Sequence, residues 1–181
     1  LLATEIKNAT YEGISQEDLA ESMLMTARTL VEKEPNYSYV TARLLLNNLE
    51  NEVGAFLDIN EKKDRGKMYV EALAKTIDKG IDLDFLNEEL KSYDLNKLGK
   101  AILQERDFQF TYLGLQTLYD RYFITCDETR YELPQVFFMR VAMGLALNEE
   151  NRDERAIEFY KLLSSFDYMS STPTLFNSGT Q

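Results

Sequence analysis

The sequence predicts a mainly α-helical domain carrying one small β-hairpin. Only three prolines and eight glycines interrupt 181 residues, and the long stretches between them repeat apolar residues at helical spacing. One aromatic-rich segment near residue 126 breaks that spacing, and this is where the hairpin is expected. With 44% apolar residues, the chain can build a proper hydrophobic core and does not read as disordered.

Along the chain, Leu2, Ile6 and Ala9 share one helical face with no start signal before them, so residues 1–9 read as the end of a helix begun upstream. Gly13 breaks the pattern, and Ser15 with Asp18 forms a weak capping box opening a helix over about 16–34, with Leu19, Met23, Ala27, Leu30 and Val31 inward. Pro35 ends it, because its ring lacks an N–H and biases Glu34 away from helix. A second helix is expected from about Tyr39 through Ala42, Leu45, Leu46 and Leu49 to Val53. Residues 58–66 are charged and loop-like. Met68, Leu73 and Ile77 then mark a short helix closed by Lys79-Gly80. Two more helices are expected over 84–92 and 94–104, each opened by an Asp at the positive helix end.

Residues 107–121 begin with alternating aromatics and settle into helical spacing at Tyr112, Leu115 and Leu118. Tyr122-Phe123-Ile124 and Tyr131-Glu132-Leu133 flank the hairpin turn. Pro134 suits the first position of a helix that is apolar nearly all round (Phe137, Phe138, Val141, Ala142, Leu145, Ala146) and must therefore be buried on most sides. Asp153 opens a further helix with Ile157, Tyr160, Leu163 and Phe166 on its apolar side. The last stretch, 169–181, changes to a hydroxyl-rich, extended character.

Twenty Lys and Arg against 31 Asp and Glu give a net charge of -11, which repels nucleic-acid phosphates and anionic lipid. No apolar run approaches a membrane span and no secretory signal opens the chain, so a cytoplasmic location is expected. The single cysteine, Cys126, excludes an internal disulfide and suits a reducing compartment. The absence of histidine excludes Ser-His-Asp and Cys-His machinery and the usual zinc and carboxylate-bridged di-iron ligand sets.

Candidate chemistry is sparse. Gly66-Lys67 and Gly99-Lys100 fail as phosphate loops, since Met68 and Ala101 follow them and neither has the upstream glycine. The pairs Glu88-Glu89 and Glu149-Glu150 read as solvated surface charge. Cys126 lies beside Asp127 and Glu128, whose charges oppose thiolate formation, and reads as incidental. In the tail, Ser171, Thr172 and Thr174 offer neutral donors around Pro173 that, with free backbone N–H groups, suit an anion; a plain linker to a further domain is the other reading.

The run Leu133-Pro134-Gln135-Val136-Phe137-Phe138-Met139-Arg140-Val141-Ala142-Met143-Gly144-Leu145-Ala146, followed by Ser171-Thr172-Pro173-Thr174-Leu175-Phe176-Asn177-Ser178-Gly179-Thr180, closely resembles the large, catalytic subunit of ribonucleotide reductase. The match is to its N-terminal helical region; Tyr37-Ser38-Tyr39-Val40-Thr41-Ala42-Arg43-Leu44-Leu45 is similar to the family's opening helix pair, and residues 122–132 to its small hairpin. The resemblance implies that residues 1–20 are a remnant of the nucleotide-sensing cone, 21–168 the helical domain, and 169–181 a substrate-site loop leading into a ten-stranded α/β barrel. It implies an oxidoreductase that converts ribonucleotides to deoxyribonucleotides by thiyl-radical chemistry, with Thr174 at the substrate phosphate and Ser171 and Thr172 shaping the same loop.

The family's catalytic cysteines lie downstream and Cys126 matches none of them, so this stretch is expected to be inactive alone and to hold no catalytic residue, metal or cofactor. The whole enzyme would need a radical generator, a dithiol reductant and nucleotide effectors, and its partners would be the barrel, a small radical-generating subunit and the ribonucleotide. The strands and basic residues of an ATP site are absent from 1–20, so no effector site is expected here. The alternative is an acidic helical adaptor without enzymatic activity, which predicts few exposed apolar patches.

Overall fold

The computed structural model describes residues 2–60 and 64–181, as α1 (Leu2–Ala9), α2 (Gln16–Leu30), α3 (Tyr37–Phe56), α4 (Arg65–Asp82), α5 (Leu95–Ala101), α6 (Tyr112–Arg121), β1 (Thr125–Cys126), β2 (Thr129–Arg130), α7 (Pro134–Leu145), α8 (Arg152–Ser164) and α9 (Thr172–Asn177). Two 3-10 segments, Glu88–Ser92 and Gln104–Gln109, flank α5. The predicted mainly helical fold with one hairpin is the fold observed.

At the centre lies α7. Pro134 occupies its first turn, and every residue from Pro134 to Met143 is buried. Phe137, Phe138 and Val141 are each worth roughly 1.5–3 kcal/mol of transfer free energy. Around α7 pack α4, α8, the 3-10 segment Gln104–Gln109 and α9, while α1, α2, α3 and α6 form a flanking layer. Ser15 caps α2 as expected, its Oγ accepting the Asp18 N–H at 3.0 Å.

Several expectations need correction. The helix on Met68, Leu73 and Ile77 is not short: α4 runs 18 residues, straight through Gly80. Gly80 serves close packing rather than a stop, because a Cβ there would lie 2.4 Å from Leu86 Cδ1. The backbone N–H groups of Phe85 and Leu86 both donate to the Gly80 carbonyl. Asp84 sits at φ 59 to turn the chain back, so it cannot open the helix expected over 84–92; a bridge from Leu86 to Thr180 and the first 3-10 segment replace it. There Asn87, not Asp84, supplies the cap, accepting from the Glu89 N–H.

Boundaries shift elsewhere. α2 stops at Leu30, well before Pro35, and α3 starts at Tyr37 and reaches Phe56. α5 stops at Ala101, and the second 3-10 segment takes the place of the alternating aromatics. The division expected at residues 20 and 21 falls inside the unbroken α2. Of the loop expected over 58–66, Arg65 and Gly66 belong to α4 and residues 61–63 lie outside the described residues.

The hairpin pairs Thr125 with Arg130 and Cys126 with Thr129 across Asp127 and Glu128, both at positive φ (47 and 67), the two-residue geometry that matches strand twist. Its strands lie inside the aromatic flanks. In α8, Asp153 lies in the first turn and Asn151 precedes it at φ 52; Phe166 lies beyond the helix end at φ 64, 40% exposed, with its ring edge-on to Phe110 and Phe138. The tail is not extended but forms α9.

A buried polar hub ties the layers together. Asp107, in the second 3-10 segment, accepts from the Tyr69 hydroxyl, from Arg65 Nη2 at 2.7 Å and from Gln135 Nε2 at 2.9 Å. Gln135 Oε1 in turn accepts from the Tyr160 hydroxyl, which accepts the Leu103 N–H, both at 2.9 Å. Burial pushes the Asp107 carboxyl up to about 6, against the hydrogen bonds from Tyr69 and Gln135 and the Arg65 charge. Between the unfolded value near 4 and 6 the folded state holds the extra proton, so stability falls as pH rises through that window. Urea denaturation should therefore show wild type losing on the order of 3 kcal/mol relative to Asp107→Asn between pH 4 and 7. A pH-independent difference would contradict the buried-carboxylate assignment.

Candidate functional site

The tail is held by residues far away in sequence. Arg140 on α7 is fully buried, and its Nε and Nη2 donate to Glu132 Oε1 and Oε2 at 2.9 and 3.1 Å. Its Nη1 donates to the Ser178 carbonyl at 2.8 Å and the Leu175 carbonyl at 3.3 Å. Glu132 Oε2 also accepts the Ile124 N–H at 3.0 Å, so hairpin, α7 and tail share one charge pair.

Ser178 Oγ donates to the Val141 carbonyl at 2.7 Å, and Gly144 lets the tail backbone lie against α7. A Cβ on Gly144 would be 2.1 Å from Gly179 N. Beyond it, Asn87 N–H donates to the Gly179 carbonyl at 3.1 Å and Gln181 N–H to the Phe85 carbonyl at 3.3 Å.

Docked this way, α9 presents its hydroxyls in two directions. Ser171 Oγ and Thr174 Oγ1 lie 3.2 Å apart, and both line a recess of ≈530 Å³ walled by Leu145, Phe159, Leu162 and Tyr168. Thr172 points elsewhere: its Oγ1 is 3.1 Å from the Tyr122 hydroxyl, and Phe176 stacks on the same Tyr122 ring at 4.7 Å. The structure thus brings together two of the three sequence-predicted site residues and separates the third. Among the described residues no basic side chain lines the recess, and its polar side chains are the hydroxyl-bearing Tyr168, Ser170, Ser171 and Thr174.

The arrangement suits holding a neutral or anionic oxygen by donation, not proton transfer. Among the described residues no group of three His, Cys, Asp or Glu side chains is placed to hold a metal ion, and no helix is long and apolar enough to cross a membrane. Cys126 is free and half-buried, and Glu88, Glu89, Glu149 and Glu150 are exposed. Sequence reasoning missed Arg140, Glu132 and Gly144 as the residues that dock the site. The available signal was one arginine inside an otherwise apolar run.

Fold and site together define a mainly helical domain that clamps a hydroxyl-bearing turn at its C-terminal end. Residues 108–181, from just before α6 through α9, match the ribonucleotide reductase all-alpha domain. Over 171 residues the chain is 46% identical to the ribonucleoside-diphosphate reductase subunit alpha of Chlamydia muridarum, covering 93% of this chain and 16% of that protein. The subunit alpha of Helicobacter pylori is 37% identical over 173 residues, 93% of this chain and 20% of that protein. The large subunit of vaccinia virus is 29% identical over 180 residues, 99% of this chain and 22% of that protein. The chain belongs to the ribonucleotide reductase large-subunit family and corresponds to its helical region. It spans between 16% and 22% of the length of these relatives.

Proposed function

We propose that this chain is the helical scaffold of a cytoplasmic ribonucleoside-diphosphate reductase large subunit and that Thr174, assisted by Ser171, holds the substrate's phosphate. The observation that carries this reading is the pair of hydroxyls 3.2 Å apart at the recess, on a turn fixed to α7 by Arg140 and Gly144. Neutral donors on a rigid turn fix the phosphate end, which places the ribose while the chemistry is done elsewhere.

In this reading the remainder of the subunit supplies the reducing cysteines and the barrel, a small subunit generates the radical, and a dithiol reductant and nucleotide effectors complete the system. Residues 169–181 then lead into the barrel, and residues 1–20 are what remains of the nucleotide-sensing cone. Exposed Leu145, Leu162, Tyr168, Met169 and Phe176 gather around the tail, which is where the rest of the subunit would cover them. The same cluster speaks against the adaptor reading, which expects few exposed apolar patches.

The test is Thr174→Ala in the full-length enzyme. Loss of one hydrogen bond to a charged phosphate should lower kcat/KM by roughly 10- to 100-fold, through KM, with melting temperature nearly unchanged. Thr172→Ala, which loses only the Tyr122 contact, should leave KM near wild type. Unchanged kinetics in Thr174→Ala would remove the phosphate assignment.

A further inference from the structure

The two Gly-Lys dipeptides that fail as phosphate loops, 33 positions apart in sequence, converge in the fold. Gly66-Lys67, in the first turn of α4, and Gly99-Lys100, near the end of α5, line one surface cavity of ≈620 Å³. It is separate from the recess at Ser171 and Thr174, with which it shares no lining residue. Gln104 lines the same cavity, and its Oε1 is buried and has no hydrogen-bond partner among the described residues. A Cβ on Gly66 would lie 3.7 Å from that oxygen, so the amide packs against the glycine in the first turn of α4. Val70 and Ile102 give the cavity an apolar wall.

Its charges are unevenly committed. The Lys100 ammonium has no ion-pair partner among the described residues, and that of Lys67 reaches Asp64 Oδ2 only at 3.9 Å. The carboxylates in the same wall are engaged: Asp64 accepts the Lys67 backbone N–H, and Glu71 accepts the Asn60 N–H at 3.1 Å and pairs with Lys75 at 2.8 Å. Two ammonium groups ask for an anion; an unpaired buried amide oxygen asks for a donor; the apolar wall accepts a carbon skeleton.

We propose that this cavity binds a phosphorylated, hydroxyl-bearing small molecule, with the phosphate between Lys67 and Lys100 and a ligand hydroxyl donating to Gln104 Oε1. At ≈620 Å³ the cavity has room for a sugar phosphate. Nothing in this assignment depends on the Thr174 recess.

Ribose 5-phosphate is the probe, added to the full-length polypeptide, with hydrogen exchange of residues 64–70 and 99–104 as the local readout. The probe should protect both segments saturably, and inorganic phosphate should do so about tenfold more weakly because it leaves Gln104 unpaired. Lys67→Ala and Lys100→Ala should each weaken the probe about tenfold, and Gln104→Leu should weaken ribose 5-phosphate while leaving inorganic phosphate unaffected. Both lysines are exposed, so their variants keep the fold. Absence of saturable protection in these segments, or equal protection in the Lys67→Ala/Lys100→Ala double variant, overturns the proposal.

Discussion

Arg140→Met should destabilise the 181-residue chain by about 3–5 kcal/mol in urea denaturation, the largest loss expected from any single side chain here. Removing the guanidinium leaves Glu132 charged, 0% exposed and without its partner. It also strips the carbonyls of Leu175 and Ser178 of their donor. Methionine fills much of the volume, so the loss reports the uncompensated charge rather than a cavity. Converting Glu132 as well, in Arg140→Met/Glu132→Leu, should recover a large part of it, since an apolar pair of similar shape often matches a buried ion pair. The tail tells the two variants apart from wild type: in both, amide protection over 172–181 should drop, because neither can hold the carbonyls. If the double variant were no more stable than the single one, the charge pair would not be the source of the loss.

Gly144→Ala should release the tail while leaving α7 intact. Alanine is normally better than glycine inside a helix by about 1 kcal/mol. Here, though, the new methyl meets Gly179 N at 2.1 Å and the Ser178 carbonyl carbon at 2.6 Å. Both are backbone atoms, so no rotamer change relieves the clash. The expected result is a net loss of about 1–3 kcal/mol with exchange accelerated over 172–181 and unchanged over 134–143. Gly114→Ala is the control: its Cβ would meet Thr111 Oγ1 at 3.4 Å, and the helix gain should survive. A neutral Gly144→Ala would mean that the tail does not lie against α7.

The contrast between α7 and α9 shows what a sequence of this kind reveals about itself. α7 was legible because its cause is local: a proline at the first turn and apolar residues on every face leave only a buried helix. α9 was not, because six residues rich in hydroxyls carry little helical signal. What fixes them is Arg140, Val141 and Gly144, more than 30 positions upstream. Gly80 follows the same rule: glycine near a helix end suggests a stop, and only the returning Leu86 side chain shows that it makes room. At the site, motif resemblance pointed to Ser171, Thr172 and Thr174 together. The helical turn divides them, placing Thr172 on Tyr122 and the other two on the recess.

The most direct test of the central claim, that α9 offers its Thr174 hydroxyl to substrate phosphate, is a structure of the full-length polypeptide with a ribonucleoside diphosphate bound. The expected result is a phosphate oxygen about 2.7–3.0 Å from Thr174 Oγ1, with Arg140 still holding the Ser178 carbonyl. A phosphate bound elsewhere, with Thr174 still paired to Ser171 and the recess filled by side chains from the rest of the chain, would contradict it.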